Sequence, residues 1–143
     1  VDAVITGYLS GNYDCYGLGG EFPDGLDNTV YSFHAIEKAW KDANLSSERE
    51  HVGPYIEKNT ELFKIGSLDL FEGLSRHRWT LDELCDYDFL TRIYDELYTP
   101  GELFLTSDII QYLFDNPCVS EINSHIMRNE GYIQSVKKDN IET

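Results

Sequence analysis

Four short runs with strand character punctuate the chain: Asp14 to Leu18, Thr29 to Phe33, Leu62 to Leu68 and His77 to Leu81. The second is built from β-branched and aromatic residues, which suit a pleated, half-buried surface. Helical spacing fills the intervals. Val1, Val4, Ile5, Tyr8 and Leu9 repeat before the first strand, and Ile36, Ala39, Trp40 and Ala43 repeat after the second. Phe89, Leu90, Ile93, Tyr94, Leu97 and Tyr98 give a third repeat after the fourth strand. Strands this few and this short, interleaved with amphipathic helices, predict a mixed α/β chain. There is no internal repeat and no low-complexity segment.

Local punctuation sharpens the boundaries. Gly11-Asn12 stops the first helix, and Pro23-Asp24-Gly25 is a turn. Ser32 is placed to cap the second helix, and Ser47 to Glu50 fits a capping box. Pro54 predicts a kink or a second helix start. Pro100-Gly101 ends the helix of Phe89 to Tyr98, Thr106 can cap the next, and Asn116-Pro117 reads as an N-cap followed by Pro at the first helical position. Residues 1–128 are expected to form a single α/β domain, and the polar residues 129–143 an irregular tail or extended arm.

Composition narrows function. The 143 residues carry 26 Asp plus Glu against 11 Lys plus Arg, a formal net charge of −15. Nucleic acid and anionic membrane surfaces both need a basic face, so neither is expected as a partner. With 41% hydrophobic residues, ten Tyr and seven Phe, the chain can build a core and is too apolar for a disordered acidic tail. No apolar run approaches the length of a membrane span. Cys15, Cys85 and Cys118 are odd in number and widely separated, which suits neither a zinc site nor a dithiol motif. No secretory signal opens the sequence, so a reduced, cytoplasmic setting is expected. The chain starts at Val1 and its only Met is Met127. It is therefore expected to have lost its start or to be a piece of something longer.

Three groups of residues could carry chemistry. Asp82, Glu83, Asp86 and Asp88 follow a predicted strand, the position where open α/β sheets place ligands. Carboxylates there suit Mg²⁺, or they cap the following helix and complement its dipole. Arg76, His77 and Arg78 are the densest basic cluster, and an Arg there can grip a carboxylate or phosphate or pair with a neighbouring acid. Glu50 and His51 could face a substrate as a polar pair, or Glu50 could simply complete its capping box. Asp24 and Asp27 sit in the turn. No Walker loop, dinucleotide-binding glycine fingerprint or zinc-protease motif is present.

Taken in order, several segments form a recognisable string. They are Phe22 to Asp27, Val30 to Phe33, Glu37 to Trp40, Ser47 to Val52 with Pro54 to Ile56, Leu74-Ser75 with Arg78 to Asp82, Ile122 to Ile126, and Arg128 to Tyr132. Together they resemble the C-terminal part of the spore-coat polysaccharide biosynthesis protein F family of cytidylyltransferase-like proteins. That family is related to the enzymes that make CMP-activated sialic acids and CMP-KDO. The resemblance implies the C-terminal half of a Rossmann-like nucleotidyltransferase fold, with few strands flanked by helices. It implies nucleotide and sugar substrates, pyrophosphate release and a Mg²⁺ cofactor. By resemblance, Asp82 is the metal ligand, Glu50, His51 and Arg78 lie on the sugar side of the cleft, and Asp24 and Asp27 belong to the family's turn.

The departures matter as much. The family's glycine- and arginine-containing triphosphate loop and its second metal aspartate have no counterpart here. Asn28-Thr29 stands where a Val-Glu pair is usual, and Cys85 lies within the stretch after the metal aspartate. A lone Asp82 is a poor Mg²⁺ site, because Mg²⁺ gives up water reluctantly and needs more partners. Two expectations follow. One is an enzyme portion without activity by itself. The other is a non-catalytic interaction module that self-associates, most simply as a homodimer.

Overall fold

The computed structural model describes residues 1–142, which divide into two compact units. The first comprises residues 1–22, 27–73 and those from Asn129 onward. The second comprises residues 23–26 and 74–128.

A three-stranded sheet organises the first unit. Its strands are β1 (Cys15–Gly19), β2 (Thr29–Tyr31) and β3 (Ile65–Asp69), in the order β2-β1-β3. β1 pairs antiparallel with β2, setting Tyr16 opposite Val30, and parallel with β3, setting Cys15 opposite Ile65. Successive β1 side chains point to opposite faces. Cys15 joins Ala35, Ala39, Ile56 and Phe63 in one buried cluster, which places α2 (Phe33–Asp42) and α4 (Pro54–Lys58) on that face. Tyr16 turns the other way, toward α1 (Asp2–Gly11), where a Cβ on Gly7 would fall 2.5 Å from its ring. Only glycine lets α1 approach the sheet that closely.

The helix signals hold well here. Ser32 caps α2, its hydroxyl accepting from the Ala35 N–H at 3.1 Å, and α4 starts at Pro54. The expected capping box of Ser47 and Glu50 does not form. Instead α3 (Ser46–Glu50) is capped from outside: the Ser47 N–H donates to the Asp139 carboxylate at 2.9 Å. Asp139 belongs to α8 (Glu130–Glu142), which corrects the expected irregular tail. α8 carries no strong apolar stripe, so periodicity missed it. Polar contacts to α3 hold it.

In the second unit, α5 (Leu84–Leu97), α6 (Thr106–Asp115) and α7 (Pro117–Ser120) enclose a core of Phe89, Ile93, Leu113 and Val119. Asn116 and Pro117 open α7 as their order predicts. The expected strand at residues 77–81 is not one. It forms a single bridge, in which the Asp24 N–H donates to the His77 carbonyl at 2.9 Å and the Trp79 N–H to the Asp24 carbonyl at 2.7 Å. Residues 23–26 offer too little extended chain to continue a ladder. Among the described residues no helix is long and apolar enough to cross a membrane.

Candidate functional site

The second unit gathers its charge around Arg78. The guanidinium meets Asp86 side-on, Nε to Oδ1 at 3.0 Å and Nη2 to Oδ2 at 2.9 Å. Nη2 also reaches Asp82 at 3.0 Å, and Nη1 lies 3.5 Å from Asp24. Asp86 is fully buried, whereas the Asp82 side chain is 70% exposed. Asn123, itself buried, donates to Asp86 Oδ1 at 2.9 Å and to the Arg78 carbonyl at 3.0 Å. The Asp82 and Glu83 N–H groups both donate to Asp86 Oδ2 at 3.0 Å, so the same carboxylate caps α5. Burial pushes the Asp86 carboxyl up. Hydrogen bonds from Arg78, Asn123 and the two amides outweigh that and hold it well below the usual carboxylate range.

Arg78 is therefore directed at carboxylates of its own unit. The arrangement resists the Mg²⁺ reading of Asp82. The nearest acids, Asp24, Asp82 and Asp86, all address one guanidinium, which already supplies the positive charge a cation would bring. Among the described residues no group of three or more His, Cys, Asp or Glu side chains is arranged to hold a metal ion. The residues present do not fit a self-sufficient Mg²⁺ centre, since Mg²⁺ needs several oxygen ligands in near-octahedral order.

In the first unit, Glu50 and His51 both meet a third residue. Buried Ser135 of α8 donates to Glu50 Oε2 at 2.6 Å, and His51 Nε2 lies 3.3 Å from the same hydroxyl oxygen. Ser135 has a single proton, and it goes to Glu50. The ring contact then needs its proton on Nε2, which donates to Ser135. That is the reverse of a serine activated by a histidine base. The Ser135 bond, with His51 and Lys138 nearby, holds the Glu50 carboxyl below its usual range. The Tyr132 ring meets His51 edge-on at 5.4 Å between centroids. Beside them runs a groove of about 180 Å³, lined by Ile36, Trp40, Arg49, Glu50, His51 and Val52.

The candidates thus separate. Asp24, Arg78 and Asp82 meet in the second unit, and Glu50 and His51 meet in the first. Asp27 is exposed and belongs to the first unit, so the two acids of the turn part company. Asn123, Ser135 and Asp139 escaped the sequence reading. Asn123 lay inside a quoted segment, but a buried amide bridging a carboxylate and a carbonyl leaves no spacing signal. Asp86 was visible only as one acid among four.

Comparison with known proteins bears on the fold. No family model matches the chain. An uncharacterized protein of Methanocaldococcus jannaschii is 36% identical over 136 residues, spanning 92% of this chain and 54% of the relative. The structure of a cytidylyltransferase from Leptospira borgpetersenii serovar Hardjo-bovis superposes with a TM-score of 0.77 at 27% identity, over 89% of this chain and 54% of that one. The chain spans about half the length of both proteins. Its mixed α/β architecture, a small sheet flanked by helices, is a cytidylyltransferase-like fold.

Proposed function

We propose that this chain is the C-terminal portion of a cytidylyltransferase-like protein that activates a sugar for surface-polysaccharide synthesis, and that it turns over nothing as a separate polypeptide. The likeness to the Leptospira cytidylyltransferase carries the reading, because it extends over nearly all of this chain and only about half of that one. The residues agree with it. The described part has no glycine-rich phosphate loop, and Arg78, whose side chain is 9% exposed, is engaged by three acids. An acidic chain needs a basic cradle or a metal to hold a triphosphate.

In this reading Asp24, Asp86 and Arg78 form a scaffold, and Glu50 and His51 stand beside the groove on the sugar side. Asp27 completes the family's turn. Asp82 contributes at most one oxygen to Mg²⁺, whose other ligands come from the remainder of the longer protein. Helix α1 supports that division. Val4 is buried, yet Val1, Ile5 and Leu9 form an exposed stripe on the same helix. Ile5 lies about 100° round the helix from Val4, so the apolar surface of α1 is wider than the part packed on the sheet and suits a further cover in the longer protein. Calorimetric titration of the 143 residues with CTP and Mg²⁺ tests the reading. It predicts no saturable binding, and a saturable isotherm overturns it.

A further inference from the structure

The basic cluster of residues 76–78 splits in the fold. Arg78 turns to the carboxylates of its own unit. Arg76 does not follow it. A turn closed by the His77 N–H donating to the Leu74 carbonyl at 3.0 Å carries Arg76 and His77 to the rim of a cavity of about 480 Å³. Leu74, Ile110, Leu113 and Phe114 form its apolar wall, and Ser120 and Glu121 stand at its edge. Every one of these residues belongs to the second unit. The volume lies within the roughly 300–1,000 Å³ that small-molecule sites occupy, and an apolar wall with a few polar groups is their usual lining.

The polar groups at the rim are unengaged. Acids outnumber bases 26 to 11, yet among the described residues Arg76 meets no carboxylate. The His77 ring nitrogens and the Ser120 hydroxyl likewise have no hydrogen-bond partner there. Glu121 differs, since its carboxylate accepts from the Ser124 hydroxyl at 3.2 Å. Burial, with Arg76 beside it, holds the His77 ring below its usual range, so at neutral pH it is an uncharged donor and acceptor.

We propose that this cavity binds a small amphipathic monocarboxylate, its carboxylate on the Arg76 guanidinium with His77 and Ser120 beside it, and its apolar body against Leu74, Ile110 and Phe114. The charge count selects a monoanion. Arg76 supplies one full positive charge, and Glu121 opposes a second negative one. The guanidinium fork matches a planar carboxylate. The four apolar side chains select a ligand with a hydrophobic body over a bare anion. The site uses neither Asp82 nor the Glu50 and His51 groove, and it requires no nucleotide.

Titration of the isotope-labelled 143 residues with phenylacetate, followed by amide chemical shifts near neutral pH, tests it. Saturable shifts should appear at residues 74–77 and along α6 and α7. Phenylacetamide, which lacks the charge, and acetate, which lacks the ring, should each bind at least roughly tenfold more weakly. Phenyl phosphate carries nearly two charges and should also bind more weakly. Arg76→Gln should weaken phenylacetate by roughly tenfold or more, and Phe114→Ser by roughly fivefold. Arg76 is exposed and Phe114 is 80% exposed, so both variants should keep the wild-type circular dichroism. No saturable binding of phenylacetate overturns the proposal. So do equal affinities for the acid and its amide, tighter binding of phenyl phosphate, unchanged affinity in Arg76→Gln, or shifts centred on Glu50 and His51.

Discussion

Arg78 and Asp86 form a two-pronged ion pair, with Nε to Oδ1 at 3.0 Å and Nη2 to Oδ2 at 2.9 Å, around a carboxylate that no solvent reaches. Removing the charge from Asp86 leaves Arg78 facing a neutral amide inside the unit. Breaking one side of a buried pair typically costs about 3–5 kcal/mol. Asp24 and Asp82 still face Arg78, so Asp86→Asn should lower the unfolding free energy by up to that amount, measured by urea denaturation near neutral pH.

The same pair sets an acid limit. The folded Asp86 carboxyl is held below its ordinary value, so its stabilisation is fully present above the unfolded value of about 3.9. It is lost as pH falls from there through the folded value. Wild-type stability should decline steeply in that window, and Asp86→Asn should flatten the slope. An unchanged slope in the variant would separate Asp86 from the acid response.

Gly25 is expected to resist substitution. Its φ is +96°, and a Cβ would fall 2.7 Å from the Trp79 carbonyl group. Backbone has no rotamer to escape into, and a side chain at such a φ is strained by about 1–3 kcal/mol. Gly25→Ala should lower Tm, whereas Gly73→Ala, with open space around it and a φ of +68°, should cost less.

Helix α8 reports on α3. Asp139→Ala removes the carboxylate that accepts from Ser47, an N-cap loss of about 1 kcal/mol. Ser135→Ala removes the donor to Glu50. The two sites lie on the same pair of helices, so their effects should not add. Hydrogen exchange should quicken in both α3 and α8 in either variant, and faster exchange confined to α8 would contradict the cap.

These residues also show where the sequence could be read and where it could not. Elements carried by strong local rules were legible: Ser32 capping α2, Pro54 opening α4, and Asn116-Pro117 opening α7. The strand at residues 77–81 failed because its partner is one turn, not a strand. α8 failed because long-range polar bonds, not a 3.6-residue apolar period, hold it in place. Asp82 was picked for its place after a predicted strand. The buried acid is Asp86, four residues on, and only the fold distinguishes a carboxylate turned inward from one left in solvent.

The three cysteines should differ in reactivity. Burial, with Glu57 and Asp14 nearby, pushes the Cys15 thiol up to about 11, whereas Cys118 is exposed. The thiolate is the reactive form. Iodoacetamide at neutral pH should label Cys118 first and Cys15 only after denaturation, as mass spectrometry of the digested protein would show. Early labelling of Cys15 would contradict the core described around β1.

The most direct test of the central claim is pyrophosphate release from CTP and Mg²⁺ with a panel of sugar acceptors, run side by side on the full-length Leptospira borgpetersenii cytidylyltransferase and on these 143 residues. The account predicts turnover by the longer protein and none by this chain. Turnover by the 143 residues alone, rising to saturation with CTP, would contradict it.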